Sequence, residues 1–158
     1  MNDDYLNIAM PFVAGFEGCA KKGKGGLIYP YWDKYGKVWT RGYGRTYGIA
    51  ENSHAITNNE AKQELRAGLS NYGKKCLLLA LAMKDKAACL AAVTSWAWNC
   101  GVGAFKVSRL RRAINEERWT DAVEYIKKPR TAGGVELRGL VRRRDAESVL
   151  FASGVCSD

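Results

Sequence analysis

Residues 33–46 read Asp-Lys-Tyr-Gly-Lys-Val-Trp-Thr-Arg-Gly-Tyr-Gly-Arg-Thr, and the run Phe-Glu-Gly precedes them at residues 16–18. Short aromatic and β-branched segments punctuated by glycine are typical of a β-hairpin. We therefore predict strands at residues 27–32 and 37–43, joined by a turn at 34–36. Pro30 favours an edge position for the first strand, because proline cannot donate a ladder hydrogen bond. Apolar periodicity predicts a helix over residues 4–16, which places Glu17 at its end.

The rest of the chain has a helical pattern. Thr57 and Glu60 form a capping box that opens a helix to about residue 69. Asp85, Ser108 and Thr120 are candidate N-caps of later helices. The predicted helices beyond residue 69 cover residues 75–83 and 85–98, two short segments after 108 and 120, and 135–152. The alanine-rich helix ending near residue 98 is apolar on most of its surface, which favours a central position in the domain.

This order of helix, small sheet and many helices predicts an α+β fold with the sheet near the N-terminus. We expect a single domain over residues 1–158. A helix-and-hairpin lobe would cover about residues 1–56 and a helical lobe about residues 57–158, joined by a long helix. A cleft between the lobes would be the natural place for a ligand.

Composition excludes several protein classes. The chain has 158 residues, 47% of them hydrophobic, which is enough for one sizeable core. No apolar run approaches the roughly 18 residues needed to span a membrane. The acidic start at residues 1–4 lacks the basic and apolar regions of a secretory signal, so we expect the protein to begin in a cytosol.

Cysteine, histidine and net charge narrow the chemistry further. The five cysteines are an odd number without a C-x-x-C pair, which favours neither a zinc site nor a disulfide framework. Cys89 and Cys100 are most simply buried thiols. The lone His54 lies in a polar loop and leaves no Ser-His-Asp chemistry. The net charge of +9 attracts polyanions such as nucleic acid, anionic membranes or an acidic cell wall, and does not choose among them.

Two carboxyl groups and a hydroxyl suggest glycosidic chemistry. Breaking a glycosidic bond needs one acid to protonate the leaving oxygen and a second group to hold a water or attack the sugar. At the end of an apolar helix, Glu17 is placed to keep a proton for use as a general acid. Asp33 lies on a polar turn, and Thr40, across the hairpin, would help it to hold a water. All three residues are also ordinary at a helix end, in a turn and in a strand, so spacing alone leaves this a hypothesis.

Several motifs in order make the chain resemble phage endolysins of the lysozyme type, glycoside hydrolase family 24. These motifs are Phe-Glu-Gly, Pro-Tyr-x-Asp, Gly-x-Val-Trp-Thr and Gly-Tyr-Gly-x-Thr, followed by segments 95–103, 114–122 and 139–147. The resemblance spans about residues 6–152 and implies a lysozyme-like fold. The segment between Glu17 and Asp33 is longer than is usual in the family, because it contains the basic loop 19–26. One additional residue lies between Asp33 and Thr40.

The resemblance also implies roles for individual residues. Glu17 would be the general acid, Asp33 would orient the water and Thr40 would assist it. The implied substrate-binding residues are Gly44, Thr46, Trp98, Phe105 and Ser108. Arg142 or Arg143, in the run 142–144, would pair with Glu17. Core packing for Phe105, helix capping for Ser108 and a solvated basic face for the arginines remain alternatives.

By resemblance, the chain would hydrolyse the bond between N-acetylmuramic acid and N-acetylglucosamine in peptidoglycan, with inversion and without a metal or organic cofactor. It would act as a monomer, accumulate in the host cytoplasm and need a holin to reach the periplasm and wall, where lysis would release phage. One alternative is an inactive wall-binding or virion protein with the same fold. Others are nucleic-acid binding, through the arginines at 109, 111, 112 and 142–144, and action of the basic helix 135–152 on outer membranes.

Overall fold

The computed structural model describes residues 3–18 and 22–156. The described part has seven α-helices and two small antiparallel sheets of two strands each. The helices are α1 Asp4–Glu17, α2 Asn58–Leu79, α3 Ala87–Cys100, α4 Val102–Val107, α5 Arg109–Asn115, α6 Trp119–Ile126 and α7 Arg138–Val155. The strands are β1 Tyr31–Asp33, β2 Val38–Thr40, β3 Thr131–Ala132 and β4 Val135–Glu136. The predicted α+β class is confirmed. Cys19 and part of the loop 19–26 lie outside the described residues.

The chain divides into two compact units. One contains Met10–Gly68, and the other contains Met1–Ala9 with Leu69–Asp158. These boundaries differ from the lobes predicted from the sequence, because α1 and α2 each contribute residues to both units. The single-domain organisation stays a prediction.

The unit Met10–Gly68 has a small core beneath the first hairpin. Ile28 and Ile56 exchange backbone hydrogen bonds of 2.8 and 2.9 Å, and their buried side chains pack with Ala61 and Tyr43. The predicted strand at 27–32 is therefore wrong in its first half, and the hairpin strand begins only at Tyr31. Pro30 is the physical reason, since without an N–H group it separates the segment that pairs with Ile56 from the one that pairs with β2.

Helix α2 is longer than its sequence pattern suggested. The capping box is confirmed: the Glu60 N–H donates to Thr57 Oγ1 at 3.2 Å, and the Thr57 N–H donates to Glu60 Oε2 at 2.7 Å. The prediction of separate helices at 57–69 and 75–83 is wrong, because α2 continues without interruption to Leu79. Gly73 lowers intrinsic helix propensity. However, a Cβ at residue 73 would lie 2.3 Å from the Tyr5 ring, so the glycine is needed for close packing.

The other unit is built around α3, whose residues from Cys89 to Ala97 are buried and pack mainly against α7. Close approach of these helices is possible because residue 154 is glycine: a Cβ there would lie 2.8 Å from the Cys89 sulfur. The central position predicted for the apolar helix is thus confirmed. The predicted burial of Cys89 is also confirmed, whereas Cys100 is only partly buried.

Of the three N-cap residues predicted for the helices of this unit, one is confirmed and two are wrong. Ser108 caps α5 as predicted, accepting from the Arg111 N–H at 3.0 Å. Asp85 does not cap α3, because it belongs to the turn that follows Leu81–Met83, and Lys86 occupies the N-cap position. Thr120 does not cap α6, because the left-handed residue Glu117 ends the preceding turn and the helix already starts at Trp119, with Arg118 at the N-cap position.

The last helix starts later than predicted. Residues 131–132 and 135–136 pair as a two-stranded hairpin, so α7 begins only at Arg138. Gly133 and Gly134 both have positive φ, the conformation required by a tight hairpin turn. No helix within the described residues combines the length and the apolar character that crossing a bilayer requires.

Candidate active site

The hairpin β1–β2 places Tyr31 and the two candidate residues Asp33 and Thr40 on one face. Its register pairs Tyr31 with Thr40, Trp32 with Trp39, and Asp33 with Val38. Paired residues of an antiparallel ladder share a face and alternate residues return to it, so Tyr31, Asp33 and Thr40 lie together. The indoles of Trp32 and Trp39 stack edge-to-face on the opposite side, 5.8 Å apart. The strands are joined by residues 34–37, where Lys37 adopts a φ of 51°.

The carboxylate of Asp33 is held by the turn that follows it. Its Oδ1 accepts a hydrogen bond of 2.9 Å from the backbone N–H of Tyr35. This side-chain turn is the usual reason for aspartate at such a position. The turn also comes close to the other oxygen, since a Cβ at Gly36 would lie 2.9 Å from Oδ2. The geometry of the carboxylate therefore depends on the absence of a side chain at residue 36.

Thr40 is buried, with 3% of its surface exposed, and its Oγ1 donates to the carbonyl of Val38 at 3.4 Å. The next residue fixes this strand end to α2. Arg41 donates to Glu64 Oε1 and to the carbonyl of His54, both at 2.7 Å. The exposed side chain of His54 agrees with the sequence prediction. The buried arginine thus anchors the backbone that carries Thr40.

Gly44 and Thr46 lie in the loop after β2. Arg41 and Arg45 exchange backbone hydrogen bonds of 2.9 and 3.1 Å, which closes a tight turn containing Gly44. Gly44 has a φ of 89°, a conformation that side chains rarely adopt. Arg45 also binds Glu64 Oε1 at 2.6 Å, and Thr46 is exposed beside this anchored turn. The proposed substrate contacts of both residues stay predictions.

Glu17 is the last residue of α1 and is partly buried. Gly18 follows it with a φ of 60°, and its N–H donates to the carbonyl of Ala14 at 3.0 Å. This left-handed glycine is a common way to end a helix. It sets the point at which the chain leaves α1, and so the position of the carboxyl group.

Tyr31 connects the two carboxyl groups electrostatically. Burial raises the pKa of the Tyr31 phenol, and the negative charges of Glu17 and then of Asp33 raise it further. Charges act on a phenol in this way only from nearby. Glu17 and Asp33 therefore both lie near Tyr31, and Asp33 also shares the face of the hairpin that carries Tyr31 and Thr40. Sequence reasoning missed Tyr31, although its position two residues before Asp33 on a strand predicts a shared face.

The remaining candidates for substrate binding belong to the helical unit. Trp98 on α3 is partly buried and stacks edge-to-face with Tyr72 at 5.0 Å. Phe105 is fully buried, 6.3 Å from the ring of Trp96, in agreement with a core-packing role. Ser108 Oγ donates to the carbonyl of Phe105 at 2.8 Å in addition to capping α5. Substrate binding by these three residues stays a prediction.

Two arginines of the run 142–144 on α7 form a buried ionic cluster with Glu147. Arg143 Nε lies 3.2 Å from Glu147 Oε1, and Arg144 Nη1 lies 2.9 Å from Oε2. Ser95 Oγ donates to Glu147 Oε1 at 2.6 Å. Burial raises the pKa of Glu147, and the two guanidinium groups and the Ser95 hydroxyl oppose that rise. Arg142 is exposed. The pairing of Arg142 or Arg143 with Glu17 stays a prediction.

The described residues contain no group of three or more His, Cys, Asp or Glu side chains arranged to hold a metal ion.

The fold is that of known lysozymes. The muramidase domain of SpmX from Asticaccaulis excentricus superposes with a TM-score of 0.75 at 25% identity, covering 91% of this chain and 94% of that one. The active form of the P1 phage endolysin Lyz gives a TM-score of 0.74 at 22% identity, covering 100% of this chain and 88% of that one. The predicted lysozyme-like architecture is confirmed.

The sequence matches the Phage lysozyme family over residues 15–147. The chain belongs to this family. It is 31% identical to the endolysin of Bacillus phage PZA over 121 residues, which are 75% of this chain and 45% of the relative. The chain therefore spans less than half the length of that endolysin. The range matched by the family, residues 15–147, includes Glu17, Asp33 and Thr40.

Proposed function

We propose that the chain is a muramidase that hydrolyses the β-1,4 bond between N-acetylmuramic acid and N-acetylglucosamine in peptidoglycan. The observation that carries this proposal is the grouping at the hairpin: Glu17 and Asp33 both act on Tyr31, which faces Thr40. Membership of the Phage lysozyme family and the fold shared with a muramidase domain support it.

In the proposed reaction, Glu17 protonates the glycosidic oxygen as the bond to the anomeric carbon breaks. Asp33 accepts a proton from a water that attacks the opposite face of the sugar, and Thr40 orients that water. This arrangement inverts the anomeric centre and needs carboxyl groups roughly 6.5–9.5 Å apart, whereas retention needs about 5–5.5 Å. The turn that holds Asp33 Oδ1 limits rotation of the base, which favours a pre-positioned water.

The test is Glu17→Gln, assayed by the release of reducing ends from purified peptidoglycan. We expect the activity to fall by about two to four orders of magnitude, because the leaving oxygen loses its proton donor. Glu51→Gln, which alters an exposed carboxyl of the same unit, is the matched control and should keep full activity. Wild-type rates in Glu17→Gln would disprove the assignment of the acid.

An inactive wall-binding or virion protein is the second candidate, because the fold alone does not require activity. Unaltered protein that binds sacculi but releases no reducing ends would establish it. The anomer first released separates inversion from retention.

The cellular role that follows is host lysis for phage release. We propose that the protein acts as a monomer on glycan strands and reaches the wall from the host cytoplasm through a holin. Expression in the host with and without a holin tests this, since lysis should require both proteins. Lysis without a holin would show that the protein reaches the periplasm by another route.

A further inference from the structure

Tyr31 is the side chain on which the charges of Glu17, at the end of α1, and of Asp33, on the hairpin, both act. It faces Thr40 in the β1–β2 register and shares a face with Asp33, and the charges of Glu17 and Asp33 both act on its phenol. It is only partly buried, so part of the ring remains open to solvent or ligand. The strand register and the electrostatic effect thus both place Tyr31 beside Asp33.

A water poised for attack needs four directed interactions. It gives one hydrogen to the base, gives the other to an acceptor, accepts one hydrogen bond and points its remaining lone pair at the sugar. In the proposed reaction Asp33 takes the first hydrogen. Thr40 Oγ1 already donates its hydrogen to the carbonyl of Val38, so toward the water it acts as an acceptor. A hydrogen-bond donor on the same face would therefore complete the orientation of the water.

We propose that Tyr31 is a further catalytic residue, whose hydroxyl donates a hydrogen bond to the attacking water held by Asp33 and Thr40. This inference rests on the proposed glycosidase function. The phenol is protonated at neutral pH, because its pKa is ordinarily 10.0 and is raised by burial and, when they are ionised, by Glu17 and Asp33. A neutral donor at this point orients the water without adding a charge that would compete with Asp33.

The first test is Tyr31→Phe, which removes only the hydroxyl. We expect kcat to fall about tenfold, the order set by one hydrogen bond of roughly 1.4 kcal/mol. KM should stay within about twofold, because the hydroxyl contacts the water and not the substrate. Tyr47→Phe, at an exposed tyrosine of the same unit, is the matched control and should keep the wild-type kcat.

The second test does not depend on activity. The chain has eight tyrosines, and the Tyr31 signal can be assigned in ring-labelled protein as the one missing from Tyr31→Phe. Its alkaline titration should move to lower pH in Glu17→Gln and in Asp33→Asn, because each change removes a negative charge near the phenol. Glu51→Gln should leave the titration unchanged.

The outcomes separate this inference from the proposed function. If Glu17→Gln is inactive but Tyr31→Phe keeps the wild-type kcat, the function stands and the role of Tyr31 is refuted. A Tyr31 titration that responds to neither carboxyl also refutes it. If the unaltered protein releases no reducing ends, the function fails and the catalytic role of Tyr31 fails with it. The titration then still decides whether the phenol lies near both carboxyl groups.

Discussion

Gly36 and Asp33 are coupled by close approach: a Cβ built on Gly36 would lie 2.9 Å from Oδ2 of Asp33 and 3.5 Å from its carboxyl carbon. The backbone of Gly36 is not in the left-handed region, so alanine meets no conformational strain there. The atom that must yield is the end of a side chain and not the backbone. The absence of a side chain at residue 36 thus leaves room for the carboxylate of Asp33 in its observed position.

Gly36→Ala should therefore lower kcat by about 10- to 100-fold, since displacement of a catalytic group by about 1 Å has effects of this order. The free energy of unfolding should change by less than about 1 kcal/mol. Both quantities are measured by peptidoglycan kinetics and urea denaturation. Gly139→Ala, where the added methyl meets open space, is the control. Full activity in Gly36→Ala would mean that the Oδ2 position is not important.

Thr40 offers a test of a single hydroxyl. Thr40→Val keeps the volume of this buried side chain but removes the hydroxyl, whereas Thr40→Ser keeps the hydroxyl. We expect Thr40→Val to lose about tenfold or more in kcat, and Thr40→Ser to retain most of it. A loss in Thr40→Ser that is absent from Thr40→Val would assign the effect to packing of the methyl group and contradict a role for the hydroxyl. Thermal unfolding of both variants measures any loss of stability.

The ion pair of Arg41 with Glu64 should stabilise the unit that carries the hairpin. Glu64→Gln leaves the buried guanidinium of Arg41 without its carboxylate, and we expect a loss of about 2–3 kcal/mol in the free energy of unfolding. The exposed pair of Glu116 with Arg118 provides the control, because Glu116→Gln should cost less than about 1 kcal/mol. Urea denaturation compares them. Similar losses in both variants would contradict an anchoring role for Arg41.

Removing the charge of Glu147 should lower the free energy of unfolding more than Glu64→Gln does. Glu147 is fully buried and lies between two guanidinium groups, so Glu147→Gln leaves uncompensated positive charge in the interior. The expected loss is about 3–5 kcal/mol in the free energy of unfolding. Circular dichroism during urea denaturation measures it. A loss below about 1 kcal/mol would indicate that water or other groups solvate the two arginines.

Cys76 gives a prediction about pH. Burial raises the pKa of its thiol from 9.0 to about 12, because the thiolate is poorly solvated inside the protein. The unfolded chain thus releases this proton at lower pH than the folded one, and the thiol's contribution to stability falls as pH rises from about 9 to about 12. Cys76→Ala should have a shallower decline in the free energy of unfolding over this range. Identical slopes would contradict the prediction.

Local sequence signals predicted the features that local interactions determine. Thr57 with Glu60, and Ser108, each form hydrogen bonds to backbone groups within three residues. These caps can therefore be predicted from the local sequence without knowledge of the rest of the fold. The same kind of signal failed at Asp85 and Thr120. There, the preceding turns determine where the helices begin, and those turns depend on packing.

The sequence by itself determined the family, the α+β class, the hairpin turn and the candidates Glu17, Asp33 and Thr40. These follow from ordered motifs and from the short-range chemistry of glycine, proline and capping residues. Only the tertiary structure decided that Tyr31 faces Thr40, that Arg41 anchors the strand end to Glu64 and that Glu147 balances two buried arginines. Strand register and buried ion pairs join residues distant in the chain, and the free energy that selects them comes from burial of the assembled unit.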